Sequence, residues 1–361
     1  MQSTKIFIYL FKTKLIYILI SLLILTTTVL IIDFIELTRV NINKENFSLE
    51  KIILMSILKI PYIINEITPF IIIISTAFFF KNLIDNNELV SMRNLGLSIL
   101  NVFYPVGCAV FITGLISLLL INPVSSVFMN YYEKIETEKD GLNNIVKLSG
   151  EEIWIKNKFD DNIIYINANS ININKMKLND VMIVNDNSLD PTIIFAKNAN
   201  IINKELQLID VEQVKIKSNV IENFNKLNLP IDFTRKDIVN SLEYYKHTSF
   251  YNYYNYVNSM KKLNYLSNEI ILYFISEIFK PLLLISICFV VTGYVSKFNR
   301  NETFFKTIFV AIIIGFIIFL INKFIHSINI KTLYSYFFVI LSIPVISLVL
   351  GTILIVRVEK N

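Results

Sequence analysis

The 361-residue sequence is 54% hydrophobic and has a mean hydropathy of +0.55, which excludes an ordinary soluble chain of this length. The formal net charge is +5, but the polar middle of the chain, residues 123–268, has nearly equal numbers of acidic and basic residues. The basic surplus therefore lies in the apolar parts, where it favours anionic lipid headgroups and argues against nucleic-acid binding.

Six apolar stretches are long enough to cross a bilayer, which requires about 20 residues per helix. They cover approximately residues 15–35, 63–83, 100–122, 270–295, 304–322 and 335–356. The first stretch is too long for the apolar region of a signal peptide, and no small-residue cleavage site follows it. The sequence thus predicts a helical membrane protein with three spans on each side of one extramembrane domain.

Basic residues near the ends of the spans predict the orientation, because cytoplasmic loops carry an excess of Lys and Arg. Those on one predicted side are Lys5, Lys12, Lys14, Lys81, Arg93, Lys297, Arg300, Lys306, Arg357 and Lys360. That side is predicted to be cytoplasmic, which places residues 123–268 outside the cytoplasm. Loops 36–62 and 323–334 also carry Lys and Arg, which weakens the bias.

The polar middle of the chain is predicted to be largely all-β, because short β-branched runs recur about every 8–10 residues. Strands are expected near residues 152–156, 162–167, 170–174, 180–185, 192–196, 199–202, 205–210 and 212–217. The spacing indicates an antiparallel sandwich, a jelly roll or an open barrel. Asn and Asp must form most of the turns, because glycine is scarce there.

Residues 219–268 follow a helical pattern after Pro230. Thr234 is predicted to be an N-cap, with Asp237 in a capping-box position. Eight tyrosines lie between residues 244 and 273. They indicate an aromatic belt at the membrane surface more than a ligand-contacting cluster.

Motifs for catalysis are missing from this sequence. His247 and His326 lack metal-ligand neighbours, and neither a GxSxG elbow nor a Gly-Lys dipeptide occurs, which excludes a phosphate-binding Walker A loop. Cys108 and Cys288 lie within predicted spans and are expected to be packed thiols. We expect no cofactor, no metal and no enzymatic activity, with energy supplied by an ion gradient or a partner.

The link between the second and third spans, KNLIDNNELVSMRNLGLSILNVFYP, is longer than a connector requires. Its apolar residues, spaced three or four apart, are Leu89, Met92, Leu95 and Ile99. Glu88 near the helix start and Arg93 project elsewhere. The pattern predicts a short cytoplasmic helix near 84–98, which is either an ordinary interfacial helix or a docking helix for a partner.

This link resembles a segment of the LptF/LptG family of lipopolysaccharide-export permeases. Its stretch ELVSMRNLGLS is similar to the family's segment after helix 2. NLPIDFTRKDI, the Tyr-rich helix and EIFKPLLLIS resemble the passage into helix 4, whereas IWIK, AKNANI and ELQLIDVEQV resemble strands of the periplasmic β-jelly-roll. IIDFIELTRV, NEITPF and SIPVISLVLG also fit, closer to LptG than to LptF. The resemblance covers nearly the whole chain.

The resemblance implies a bacterial inner-membrane, multi-pass protein with six transmembrane helices and a periplasmic all-β jelly-roll-like domain inserted between helices 3 and 4. The expected domains are 1–122, 123–268 and 269–361. The implied partners are an LptF-like sister permease, a cytoplasmic LptB-like ATPase, LptC/LptA-like jelly-roll proteins, lipopolysaccharide and membrane lipids. ATP-driven movement of the coupling helices would then close lateral gates at helices 1 and 5.

The resemblance also implies two sets of site residues. The ATPase-coupling set is Glu88, Leu89, Met92, Arg93 and Gly96. The substrate-binding set is Asp33, Glu36, Arg39 and Lys323, with Lys331 as a further cation. Asp33, followed by Glu36, lies where some family members have a lysine. Because acidic groups repel phosphates, this departure leaves two alternatives: either Arg39 contacts the phosphates, or the lipid is contacted differently.

Three alternatives remain open from the sequence. The chain could be an LptF-type sister permease or a permease for a related lipid or glycan. It could instead be a non-transport protein that tethers a periplasmic β-domain, which would tolerate charge reversal at Glu88 and would not need a cavity between helices 1 and 5. A membrane-bound glycan enzyme would require clustered carboxylates at a membrane face, and the sequence offers no convincing set.

Overall fold

The computed structural model describes most of the chain. The described residues are 2–41, 48–137, 145–146, 153–159, 162–172, 176–185, 191–202, 204–218, 220–242, 244–263, 265–296, 304–325 and 333–360. They form two compact units, one made of Met1–Tyr132 with Asn268–Asn361 and the other of Glu133–Ser267.

Ten α-helices occur among the described residues. They are α1 Gln2–Asn41, α2 Leu49–Asp85, α3 Glu88–Asn94, α4 Ile99–Ile116, α5 Asn122–Thr137, α6 Arg235–Leu242, α7 Tyr253–Lys262, α8 Asn268–Val295, α9 Phe304–Ile325 and α10 Leu333–Lys360. A π-helical turn, Ser117–Ile121, connects α4 to α5. Short 3₁₀ turns at Tyr245–His247 and Phe250–Asn252 precede α7.

Five helical stretches of the described chain are long and apolar enough to cross a membrane. They are Thr4–Val40, Leu49–Asp85, Ile99–Glu136, Asn268–Val295 and Ser335–Lys360. The remaining predicted span coincides with α9, whose apolar part, Phe309–Phe324, is shorter. The predicted helical membrane protein is confirmed, but α1 and α2 extend well beyond their predicted bounds. Hydropathy detects the apolar part of a helix, whereas backbone hydrogen bonding continues into polar turns.

The first unit, Met1–Tyr132 with Asn268–Asn361, contains the long apolar helices and is called the membrane unit. Its core is formed chiefly by α2, α4 and α8. Ile72, Phe80 and Leu284 are fully buried there. Gly114 of α4 allows a close helix crossing, because a Cβ at this position would lie 2.7 Å from Cα of Pro281 in α8. In contrast, much of the apolar surface of α1 is exposed, which leaves this helix available to lipid or to a partner.

The second unit contains one antiparallel sheet of seven strands. The strands are β1 Ile145–Val146, β2 Ile153–Phe159, β3 Asn162–Asn172, β4 Lys177–Asn185, β5 Thr192–Ile202, β6 Glu205–Lys215 and β7 Val220–Pro230. From β3 to β7 each strand pairs with the next, and β1 and β2 both pair with the other side of β3. Ile166, Ile183 and Leu208 are buried in its core. The predicted antiparallel β domain in the middle of the chain is confirmed.

Three strands are each longer than predicted, because the sequence places a break inside β3, β5 and β6. At these breaks the pairing skips one position in each ladder, for example between Asn179↔Ser170 and Val181↔Ala168. The skipped positions of β4 and β6, Asp180 and Asp210, have φ of 50° and 55°. Asn and Asp tolerate this conformation, so these polar residues mark local kinks within continuous strands and not turns between strands.

Two strands were not predicted at all. β1 has only two residues, and β7 carries Asn, Glu and Lys at many positions. Among the described strands, β7 pairs with β6 alone. It is largely exposed, so its side chains lack the apolar alternation that identifies a half-buried strand.

The predicted capping box at Thr234 is confirmed. The backbone N–H and the hydroxyl of Thr234 donate to Asp237 at 2.9 and 2.8 Å, and Ser259 of α7 donates to the same carboxylate at 2.8 Å. Burial alone would raise the pKa of Asp237, but the hydrogen bonds from Thr234 and Ser259 and the positive charge of Lys262 hold it below its ordinary value. Asp237 therefore fastens α6 to α7.

Seven of the eight tyrosines of the predicted aromatic belt divide into two groups, and the eighth, Tyr245, is half-buried. Tyr253, Tyr256 and Tyr273 are buried and contribute to packing. Tyr244, Tyr251, Tyr254 and Tyr265 are exposed. A role at the membrane surface remains a prediction for the exposed group.

Candidate coupling and substrate sites

The predicted cytoplasmic helix is shorter than expected, because backbone geometry interrupts it on both sides. Asn87 precedes α3 with φ of 58°, and Gly96 follows it with φ of +84°. Gly96 N–H donates to the carbonyl of Arg93 at 2.9 Å, and Leu97 N–H donates to that of Met92 at 3.1 Å. Because Gly96 has no Cβ, it adopts this left-handed conformation at the end of α3 without a steric cost.

The two sides of α3 differ in exposure. Leu89 and Met92 are buried in the membrane core, whereas Ile99 at the start of α4 is buried in a separate cluster with Phe289, Ile355 and Val358. Leu95 was predicted to share this face but is 74% exposed, because the turn before Gly96 directs it outward. Leu89 and Met92 thus anchor α3, and they are not themselves available to a partner. The exposed residues of α3 are Val90, Ser91, Arg93 and Asn94, and the exposed Leu95 directly follows them.

Glu88 at the start of α3 has a partner on another helix. The hydroxyl of Tyr9 in α1 donates to Oε2 and Oε1 of Glu88 at 2.8 and 3.0 Å. Tyr9 cannot be identified from local sequence pattern, because 79 residues separate it from Glu88.

Asp33, a predicted substrate-binding residue, forms an ion pair between α1 and α2. The Lys59 ammonium lies 2.9 Å from Oδ1 of Asp33 and 4.9 Å from the ring centroid of Tyr132. Oδ2 of Asp33 is buried and accepts no hydrogen bond from the described residues. Asp33 lies where a phosphate-binding cation was expected. Its negative charge is neutralised by Lys59 of the next helix.

The other predicted substrate residues are also paired. Glu36 and Arg39 form an exposed pair at 2.8 Å within α1. Lys323 of α9 lies 3.4 Å from Glu66 of α2 and 5.5 Å from the ring centroid of Phe319. The predicted set is thus distributed over three separate ion pairs, and Lys331 lies outside the described residues.

A buried polar cluster, which the sequence analysis missed, joins α2, α8 and the π-helical turn. Lys280 donates to both oxygens of Glu277 at 3.1 Å and to Oδ1 of Asn65 at 3.0 Å. Ser117 donates to the same Asn65 oxygen at 2.8 Å. A cavity of about 30 Å³ beside this cluster is also lined by Lys323. Polar groups within a membrane helix bundle are costly unless paired, so this cluster is a specific feature of the membrane unit.

The described residues contain no group of three His, Cys, Asp or Glu side chains that could hold a metal ion. Cys288 is buried with its Sγ 3.4 Å from Oγ1 of Thr76, and Cys108 is partly buried.

A family comparison decides the identity of the chain. The model for the lipopolysaccharide export system permease LptF/LptG matches residues 8–357. The chain belongs to the LptF/LptG family. No curated protein matches the sequence.

Membership of the LptF/LptG family makes the chain a permease of a lipopolysaccharide export system. The apolar helices agree with a multi-pass membrane protein, and the inserted β-sheet agrees with the expected domain order of such a permease. The family match extends over most of α1 and all of α2 and α3, which contain the predicted coupling residues and most of the predicted substrate residues.

Proposed function

We propose that this chain is the LptG-type transmembrane permease of an inner-membrane exporter that extracts lipopolysaccharide and passes it to a periplasmic bridge. A separate ATPase supplies the energy, and an LptF-like sister permease completes the transmembrane core. The observation that supports this proposal most directly is the two-sided α3, which is anchored in the membrane core and presents a charged and apolar face outward.

The outward face of α3 has the composition of a docking surface. Val90 and Leu95 are exposed apolar side chains beside the charged Arg93 and Glu88. Apolar residues next to an arginine are typical of protein interfaces. The ATPase is the proposed occupant, with arginines that pair with Glu88, because two-pronged carboxylate–guanidinium contacts fix geometry as well as charge.

The lipid path is proposed to run along the exposed side of α1 and along α9, which both pack against α2. Arg39 and Lys323 supply cations for substrate phosphates, and Glu36 and Glu66 set their availability, whereas Asp33 pairs with Lys59. Because Arg39 and Lys323 are already paired with carboxylates, a phosphate must displace Glu36 or Glu66 to bind either cation fully. Partial exposure of both pairs makes this exchange physically accessible.

The β7 edge is the proposed docking site for the jelly-roll bridge. Within the described part of the sheet, β7 pairs with β6 on one side and with no strand on the other, and Ile221 and Phe224 on β7 are exposed. An unpaired strand edge adds another strand through backbone hydrogen bonds, and its side chains provide selectivity. An LptC/LptA-like partner would extend the sheet from this edge.

The proposal is tested by co-purification of the ATPase with the permease pair. Glu88→Ala and Glu88→Lys are compared with wild type, and Asp85→Asn serves as the matched control because Asp85 pairs with Lys81 within α2. We expect Glu88→Lys to lose the ATPase and Asp85→Asn to retain it, with equal membrane insertion. Retention of the ATPase by both Glu88 variants would refute the coupling role and favour the tethered-domain alternative.

A further inference from the structure

We infer that Tyr9 is a positioning residue for the coupling carboxylate Glu88, and that it makes the inner end of α1 follow α3. This inference rests on the proposed docking role of α3. The contact joins α1 to α3, and no sequence motif links Tyr9 to Glu88.

The geometry of the contact allows Tyr9 to orient Glu88 without blocking it. The single hydroxyl lies within 3.0 Å of both carboxylate oxygens, so it fixes the plane of the carboxylate relative to α1. A carboxylate has about four lone-pair sites, and one hydroxyl proton occupies only a part of them. Glu88 therefore keeps the capacity to accept a guanidinium from a partner.

The part of α1 near Tyr9 is held against α2 by side-chain contacts. The ammonium of Lys14 is fully buried and donates to Ser75 and Thr76 of α2 at 2.9 and 2.8 Å. Tyr17 packs edge-on against Phe79 of α2, with ring centroids 6.2 Å apart. Because a lysine with its head group buried in a membrane bundle is costly to displace, α1 is fixed to α2 close to Tyr9.

The consequence is a mechanical link from the docking helix to α1. A partner that moves α3 displaces Glu88, and the hydrogen bond transmits that displacement to Tyr9. Because Lys14 is hydrogen-bonded to α2, α1 would rotate about the position of Lys14. Beyond it, the outer part of α1 exposes Leu23, Ile31 and Ile35, which leaves that part of the helix less constrained.

The test is a double-mutant cycle on ATPase binding. The purified ATPase subunit is titrated onto the permease pair in lipid nanodiscs, using wild type, Tyr9→Phe, Glu88→Ala and the double variant. Tyr9→Phe removes one hydroxyl and keeps the ring, so the fold is preserved. The sister permease retains its own docking helix in the proposed complex, which keeps binding by Glu88→Ala measurable.

Tyr9→Phe is expected to weaken ATPase binding about fivefold, the size of one hydrogen bond to a partly exposed carboxylate. In the Glu88→Ala background the same substitution should have no further effect, because its partner is already missing. Tyr104→Phe is the matched control. Tyr104 packs on Phe7 of α1, with ring centroids 5.9 Å apart, and the substitution should leave binding unchanged.

Two results would overturn the inference while the docking role survives. In the first, Tyr9→Phe binds like wild type although Glu88→Ala binds weakly. In the second, Tyr9→Phe weakens binding equally in both backgrounds, which would indicate a general structural effect. If Glu88→Ala itself binds the ATPase normally, the docking role fails and the inference fails with it.

Discussion

Lys280 and Glu277 form a buried ion pair one helical turn apart on α8, with side chains only 8% and 9% exposed. Asn65 completes the pair from α2, since its Oδ1 accepts from Lys280 and its Nδ2 donates to Glu277. The pair therefore connects two helices of the membrane core through hydrogen bonds.

Removing one member of this pair should destabilise the protein more than removing both. Lys280→Met leaves an unpaired buried carboxylate, which typically costs about 3–5 kcal/mol, whereas replacing both residues by apolar ones is often near neutral. Thermal unfolding in detergent of Lys280→Met and Lys280→Met/Glu277→Leu would measure the difference. Glu36→Gln breaks an exposed pair and should change stability by less than about 1 kcal/mol. A double variant less stable than the single one would contradict the account.

The crossing of α4 and α8 depends on the missing side chain at Gly114. Gly114→Ala would place Cβ 2.7 Å from Cα of Pro281, and a backbone atom cannot rotate away. The expected loss is about 1–3 kcal/mol of stability, the usual cost of overpacking. Gly107→Ala is the control, since its nearest neighbour, 3.0 Å away, is the ring of Phe103 on the same helix. Equal unfolding temperatures of the two variants would show that the crossing is not tight.

Gly96→Ala tests the turn that ends α3. The φ of +84° disfavours alanine, and no atom lies within 4 Å of an added Cβ, so any effect comes from the backbone alone. The expected cost is about 1–2 kcal/mol, with a matching loss of ATPase binding if the turn orients Arg93 and Leu95. Gly96→Asn should retain most binding, because asparagine tolerates this region. Wild-type binding by Gly96→Ala would show that the turn is free to change.

The depressed pKa of Asp237 predicts the pH dependence of the second unit. A carboxyl whose pKa is lower in the folded state contributes stability above its unfolded pKa, and this contribution is lost as pH falls through the folded value. Unfolding of the full chain, followed from about pH 7 down to about pH 2, should show this loss below about pH 5, since unfolded aspartate titrates near 3.9. Asp237→Asn should be less stable at neutral pH and have a flatter acid limb. Glu212→Gln, on an exposed strand position, is the control. An unchanged acid limb in Asp237→Asn would contradict the assignment.

The sequence predicts those features of the fold that depend on local pattern. Long apolar runs identify the membrane helices, because a bilayer requires a minimum apolar length. Thr234 and Asp237 identify the start of α6, because a capping box needs residues only three apart. The breaks assigned inside β3, β5 and β6 were wrong, because polar residues at a kink in a strand have the same composition as a turn.

The candidate sites depend on contacts that local pattern does not encode. Tyr9 and Glu88 are 79 residues apart, and Asn65 and Glu277 are 212 residues apart. Helical periodicity correctly buries Leu89 and Met92 but places Leu95 with them. The turn at Gly96 rotates Leu95 outward, and a periodic pattern assumes that the helix continues.

ATP-driven lipid transfer is the most direct test of the central claim. The permease pair and ATPase are reconstituted in liposomes containing lipopolysaccharide, and transfer to an added soluble jelly-roll acceptor is followed by photocrosslinking. The account predicts transfer that requires ATP and is lost in Glu88→Lys, while Asp85→Asn transfers like wild type. An assembled complex that hydrolyses ATP without moving lipid, or full transfer by Glu88→Lys, would contradict it.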